Sequence, residues 1–84
     1  MNTGDKVIVR TVTHYYTGRI VTLDDRWLVL DDAAWIADTG RWGEALAKGT
    51  LREVEPYPDG PVYVALGAIV DVSTWAHDLP RTVK

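Results

Sequence analysis

Apolar and polar positions alternate in short runs along most of the chain, and this pattern predicts β-strands rather than long helices. The run "KVIVRTVT" at 6–13 is rich in β-branched residues and predicts a first strand. "HYYTGRIVTL" predicts a second strand, in which Gly18 indicates a bulge or a sharp bend. "WLVL" predicts a central strand whose pairing breaks at Asp31 and Asp32, and "AAWIA" predicts a strand or a bulged extension.

One segment, "DTGRWGEALAKGT", has the spacing of a short helix at about 41–48. Its apolar side chains recur at i, i+3 and i+4 from Trp42, so they share one face. Asp38 or Thr39 is placed to cap the first turn, and Gly49 stands where a left-handed C-terminal cap belongs. A helix of two turns persists only when it is packed, so we expect this face to lie against a core.

The remaining chain returns to strand character on both sides of a proline-rich loop. "LREVEP" predicts a strand, the loop spans about 56–61, and "VYVALGAIVDVS" predicts further strands interrupted at Gly67. The tail, 74–84, is irregular. The pattern therefore predicts one mainly β domain over 1–84 with one short helix. We expect a small five- to six-stranded SH3- or Sm-like barrel, or a strongly bent antiparallel sheet, because closure removes exposed edges.

Composition and charge narrow the classes of function. The chain has 84 residues, a formal net charge of −3 and no cysteine. Its nine basic residues are scattered, which disfavours generic nucleic-acid binding. No apolar window is long enough to predict a membrane span, and the first residues do not resemble a secretory signal. We therefore expect a protein that acts inside a cell, without a membrane partner.

The sequence offers no assembled set of catalytic or metal-binding residues. Each of the acidic pairs at 24–25 and 31–32 consists of adjacent residues. In a strand, such neighbours would point to opposite faces and could not share one ligand. Aspartates at these positions are more typical of turns. His14 and His77 do not have the spacing of a zinc site, and Ser73 lacks a nucleophile motif. We therefore predict a non-enzymatic protein with no cofactor and no metal site.

Aromatic residues near arginines are the best candidates for binding. Such groups can stack on bases, anchor a protein interface or simply fill a core. If "HYYTGR" is a strand, one of its two tyrosines faces away from the core. The candidate ligand- or partner-binding residues are Tyr15, Tyr16, Arg19 and Arg41.

Several apolar and polar positions recur in a pattern that spans 7–80. They are Val9, Arg10 and Thr11 in the first strand, Gly18 in the second, Val29, Leu30, Asp32 and Ala33 in the third, and Leu46 and Gly49 at the helix. In this pattern the chain resembles a family of small proteins from tailed bacteriophages and prophages. Its early half also resembles the strand–bend–strand unit of Sm-like and SH3-like barrels, at the level of fold alone.

The phage resemblance implies a setting in the host cytoplasm, with incorporation into the virion as one possibility, but supplies no activity. Within that setting, the leading hypothesis is a homo-oligomeric protein that contacts phage structural or host proteins, most plainly as a virion or assembly accessory component. The alternative is an oligomeric module that sequesters a nucleotide immune signal or inhibits a host defence protein. An Sm-like RNA-binding ring is a third hypothesis, which the acidic charge disfavours.

Overall fold

The computed structural model describes all 84 residues and consists mainly of antiparallel strands. The prediction of a mainly β protein with one short helix is confirmed. No helix is both long enough and apolar enough to span a lipid bilayer. The strands are β1 (Lys6–Thr11), β2 (Tyr15–Leu23), β3 (Trp27–Asp38), β4 (Glu53–Pro56), β5 (Val62–Ala65) and β6 (Ile69–Thr74); α1 spans Trp42–Lys48, and a 3-10 helix, Leu66–Ala68, joins β5 to β6.

The six strands form one open sheet in the order β4-β3-β2-β1-β6, and β5 pairs with β3. β3 is 12 residues long, so its first half pairs with β5 and its second half with β4. In a flat sheet, β5 and β6 would lie about 19 Å apart, since neighbouring strands are about 4.8 Å apart. The short link between these strands spans at most about 14 Å. The sheet must therefore bend strongly.

Part of this bending occurs at Gly18, as predicted. The register between β2 and β3 shifts between Thr17 and Arg19, and again between Ile20 and Thr22. A Cβ atom on Gly18 would lie 2.9 Å from the Cβ atom of Leu30, closer than two such atoms pack. Position 18 of β2 therefore has no room for a side chain beside Leu30 of β3 without displacement of one of the strands.

Both faces of the sheet bury apolar side chains. β1 has side chains in both cores because neighbouring residues of a strand point to opposite faces. The first core comprises Val7, Val9, Ile20, Leu28, Leu30, Ala33 and Val64. The second comprises Ile8, Ala34, Ile36, Ala45, Leu51, Val54 and Trp75, with α1 and the C-terminal tail packed on that face.

The helix begins at Trp42, and its N-terminal cap differs from the predicted one. Arg41 occupies the cap position without a side-chain hydrogen bond to the helix. The carboxylate of Asp38 accepts a hydrogen bond from the Gly40 N–H at 2.8 Å instead, and the Thr39 hydroxyl donates to the Gly40 carbonyl. The prediction that Asp38 or Thr39 caps the helix is wrong, because both side chains form hydrogen bonds to the backbone of Gly40 instead. The predicted C-terminal cap at Gly49 is confirmed by its φ of 74°.

The predicted break in pairing at the second acidic pair is found, within a continuous strand. β3 pairs with β5 up to Leu30 and with β4 from Ala34, and its register with β2 shifts between Asp31 and Ala34, where Asp32 has a positive φ of 49°. At the first acidic pair, the predicted turn is found. The Asp24 carboxylate accepts hydrogen bonds from the N–H groups of Arg26 and Trp27, each at 2.8 Å, and these bonds lower its pKa.

Candidate functional site

The structure places the two candidate tyrosines on opposite faces of β2. Tyr15 faces the second core, where its ring packs edge-on against Trp42 at 5.4 Å between ring centroids. Tyr16 faces the first core and is half-buried. Adjacent residues of one strand cannot contribute to the same surface.

The two candidate arginines lie apart from the tyrosines and from each other. Arg19 is exposed on β2, and its guanidinium donates to the carbonyl of Gly4 at 3.3 Å. Arg41 is exposed at the start of α1 and lines an open cavity of about 350 Å³ together with Arg52. A neighbouring cavity of about 320 Å³ contains Tyr15 but neither arginine. The four candidates are therefore not gathered into one site.

Tyr16 instead belongs to a continuous group of four rings, which we call the aromatic strip: His14, Tyr16, Trp35 and Tyr57. The ring centroids of His14 and Tyr16 are 4.7 Å apart, and those of His14 and Trp35 are 5.3 Å apart. Tyr57 stacks on the other side of Tyr16, with 6.3 Å between centroids. Edge-on and offset contacts at these distances are favourable for aromatic pairs.

The pairing of three strands positions the aromatic strip. Tyr16 on β2 lies opposite Trp35 on β3, and Trp35 lies opposite Glu55 on β4. These three side chains therefore form a row across one face of the sheet. Tyr57 follows β4, and its N–H donates to the carbonyl of Ala33 at 2.9 Å, which holds the ring beside this row.

Trp35 is the exposed member of the strip. Its exposed fraction is 36 %, whereas the other three rings are half-buried. The strand alternation explains this exposure, because Ala34 and Ile36 on either side of Trp35 point into the second core. A tryptophan fixed by neighbouring rings and open on one face is the residue type that most often dominates a protein interface.

Burial favours the uncharged forms of two rings of the strip, His14 and Tyr16. Burial lowers the pKa of His14, which disfavours the imidazolium form. Burial raises the pKa of Tyr16, and the neighbouring Tyr57 adds to the effect. At neutral pH, the strip therefore presents neutral aromatic surface.

The charge beside this surface is negative. Glu53 and Glu55 are exposed and alternate along β4, so both point to the face that carries Trp35. Neither carboxylate is in an ion pair, since the single ion pair of the structure joins Arg10 to Asp71. Two basic side chains beside this face bond to backbone carbonyls instead: Arg81 to those of Ala33 and Tyr57, and Lys84 to that of Leu51.

No group of three or more histidine, aspartate or glutamate side chains converges in a way that could hold a metal ion. The sequence analysis missed Trp35 and Tyr57 as members of a site. The alternation in "AAWIA" was the available signal, because a strand that buries Ala34 and Ile36 must expose Trp35. Comparisons with protein-family models, curated proteins and solved structures found no match for this chain.

Proposed function

We propose that this protein is non-enzymatic and acts through protein–protein contacts, with the aromatic strip binding a basic and partly apolar segment of a partner protein. The observation that carries the proposal is the row formed by Tyr16, Trp35 and Glu55, in which an exposed tryptophan lies between a fixed ring and an unpaired carboxylate. Apolar side chains of a partner would cover Trp35, which supplies contact area at a low cost in conformational entropy.

The charge of the strip specifies the chemistry of the partner. Arginine and lysine side chains bind favourably over the faces of tryptophan and tyrosine rings. Glu53 and Glu55 lie at the edge of the same face and would pair with such cations. Both features favour a cationic partner, and the net charge of −3 would steer it towards the protein.

The same features disfavour nucleotide capture at this surface. Phosphate groups would be repelled by the two glutamates, and the strip contributes no arginine or lysine side chain. The alternative nucleotide site, built from Tyr15, Tyr16, Arg19 and Arg41, has less support because these side chains do not face one cavity. The expectation of a phage virion or assembly component depends on the sequence resemblance and stays a prediction.

Nuclear magnetic resonance can test the proposal with defined peptide probes. The protein has four tryptophans, and each indole N–H gives one resonance that tryptophan-to-phenylalanine variants assign. Titration with a peptide of alternating arginine and leucine should shift the Trp35 indole and the Glu55 amide. A peptide of alternating glutamate and leucine should leave both unchanged, because its charge matches that of the strip.

Two matched variants locate the contact. Trp35→Ala should weaken binding of the basic peptide by about 2 kcal/mol, or about thirtyfold in Kd, as for a central interface tryptophan. Trp27→Ala, which removes a similarly exposed tryptophan from the other half of β3, should leave the Kd unchanged. Equal responses to the two peptides, or equal effects of the two variants, would rule out the strip as the contact surface.

A further inference from the structure

A second surface, with no residue in common with the aromatic strip, lies along the outer side of β5. β5 pairs with β3 on one side and has no strand on the other. The Leu66 N–H donates to the Arg26 carbonyl, which marks these two residues as a hydrogen-bonded pair between β5 and β3. Hydrogen-bonded pairs recur at every second residue of an antiparallel ladder, so the backbone N–H and C=O groups of Val64 and Val62 also point towards β3. The N–H and C=O groups of Tyr63 and Ala65 therefore point away from the sheet. We call this side of Val62–Ala65 the open edge.

The open edge lacks the features that protect other edges of sheets. β5 has the sequence VYVA, with no charged residue and no proline. At the edge of β4, by contrast, Val54 and Lys84 exchange two backbone hydrogen bonds, at 3.0 and 3.1 Å. β4 also contains two glutamates and a proline, and β6 contains an aspartate. An exposed, uncharged edge strand is a template for pairing with another chain.

Exposed aromatic side chains flank the open edge. Trp27 is 40 % exposed and Tyr63 is 60 % exposed, and their rings meet edge-on with 6.0 Å between centroids. In the register between β3 and β5, Trp27 lies opposite Ala65, and Val29 lies opposite Tyr63. The outer face therefore has a small side chain, Ala65, beside a large one, Tyr63, directly at the edge.

We propose that β5 pairs with β5 of a second copy of this chain, antiparallel and about a two-fold axis at Val64. In this register, Tyr63 lies opposite Ala65 of the second copy, and Ala65 lies opposite its Tyr63. Both pairs use outward-pointing groups, so each pair exchanges two backbone hydrogen bonds. The inference involves a different surface from the aromatic strip and does not depend on the function proposed for that strip.

Two neighbouring residues favour this register over the shifted alternatives. Placing Tyr63 opposite its own counterpart would require Pro61 opposite Ala65, and proline has no N–H to donate. Placing Ala65 opposite its counterpart would require Gly67, which lies in the 3-10 helix rather than in a strand. The axis at Val64 is the symmetric register that uses the outward groups of both Tyr63 and Ala65.

The side chains are self-complementary in the same register. Ala65 would lie between Trp27 of its own chain and Tyr63 of the second copy, so a methyl group separates two large rings. The same arrangement repeats on the other side of the axis, as an isologous interface requires.

The area available at the open edge sets the expected affinity. From the exposed fractions of Trp27 and Tyr63, the two copies together would cover roughly 400 Å² of aromatic surface. A stable protein interface buries about 1,200 Å² or more in total, so the paired backbones and flanking side chains must supply the rest. We therefore expect a weak dimer whose population depends on protein concentration.

Sedimentation velocity and amide hydrogen exchange over a concentration series test this proposal directly. As concentration rises, the mass should change from monomer to dimer. The amides of Tyr63 and Ala65 should become protected over the same range, because they are unpaired in the monomer. Val62 and Val64, which bond to β3, should be protected at every concentration.

Three variants make the test specific. Ala65→Pro should abolish the dimer and keep the fold, because Ala65 has a φ of −67°, which proline adopts, and its N–H points outward. Tyr63→Lys, at an exposed position, should also abolish the dimer. This variant tests the same contact if Ala65→Pro does not fold. Val70→Lys, at a similarly exposed position on β6, should leave the dimer intact.

Several results would overturn the proposal. A monomer at millimolar concentration would exclude the dimer. An oligomer that survives both folded β5 variants, or one that Val70→Lys disrupts, would place the contact elsewhere. Protection that appears outside Tyr63 and Ala65, with these two amides still exchanging freely, would likewise exclude pairing at the open edge.

Discussion

Replacing Gly49 by alanine tests how the end of α1 is joined to the C-terminal tail. Gly49 has a φ of 74°, and an added Cβ atom would lie 2.6 Å from Cγ and 2.9 Å from Cβ of His77. The His77 ring contacts Trp75 and bonds through Nε2 to the carbonyl of Leu46 at 2.8 Å. The substitution must therefore strain the backbone and displace this ring.

The expected loss of stability follows from these contacts. A left-handed conformation costs a residue with a side chain about 1–2 kcal/mol relative to glycine. Displacing His77 removes a hydrogen bond of about 1 kcal/mol and an aromatic contact of about 0.5–1.5 kcal/mol. Gly49→Ala should therefore lower the free energy of unfolding by about 3 kcal/mol, measured by urea denaturation with an unchanged m value.

Two controls separate the causes of this loss. Gly43→Ala, within α1 and with no atom within 4 Å of the added Cβ, should be neutral or stabilise by up to about 1 kcal/mol. In a His77→Gly background, which also removes the Cβ atom 2.9 Å away, Gly49→Ala should retain only the backbone cost of about 1–2 kcal/mol. Two results would refute this explanation. One is a Gly49→Ala protein whose free energy of unfolding falls no further than that of Gly43→Ala. The other is a loss of stability that is the same with and without the His77 side chain.

Three further outcomes are expected. Gly18→Ala should destabilise by about 1–3 kcal/mol, because its Cβ atom would overlap that of buried Leu30; a urea midpoint equal to that of the parent protein would contradict this. The hydrogen bond from Arg10 lowers the pKa of Asp71, so the pair stabilises the fold above the unfolded carboxyl pKa of about 4. That stability is lost as the pH falls through the folded pKa, so Asp71→Asn should destabilise at neutral pH and lose its effect in acid; an effect independent of pH would contradict the pairing. Burial lowers the pKa of His14 below the ordinary value of about 6.5, so the ring becomes cationic, and binding of a basic peptide weakens, only in more acidic solution than for a free histidine. Titration of the His14 ring resonances at a higher pH than in a short peptide would refute this.

The two proposed surfaces occupy the two halves of one long strand. The first half of β3 supports β5 and places Trp27 at the open edge, and the second half pairs with β4 and places Trp35 in the aromatic strip. Because these halves face different partners within the fold, a dimer at the open edge would leave both copies of the strip available. Such a dimer would present two contact surfaces to a partner, which increases apparent affinity when both engage.

The sequence predicted the features that depend on local chemistry. The strand patterns, the bend at Gly18 and the left-handed cap at Gly49 follow from a few neighbouring residues. The N-terminal cap of α1 was predicted wrongly because Asp38 bonds within the turn at Gly40, and no local pattern distinguishes the two uses of an aspartate. The break in pairing at Asp31 and Asp32 and the strand extension after it were predicted, but the pairing of that extension with β4 depends on a distant segment.

The candidate site depended more on contacts between distant segments. Tyr16 was chosen from sequence, but its neighbours Trp35 and Tyr57 approach it only through the register of β2, β3 and β4. Tyr15 was an equal candidate because a strand pattern does not tell which face is covered. In the structure both faces are covered, because Trp42 packs on Tyr15 while Tyr16 lies against the first core. The expectation that one of the two tyrosines faces away from the core is therefore wrong.

Photo-crosslinking in the cells that naturally make the protein can show whether the aromatic strip contacts a basic partner. A benzophenone amino acid would replace Trp35 in one variant and, as the control, exposed Asp25 in the turn after β2 in another. We expect adducts from position 35 with a protein that carries arginine or lysine at the crosslinked segment, and none from position 25. Equal adducts from both positions, or none from position 35, would exclude the strip as the contact surface.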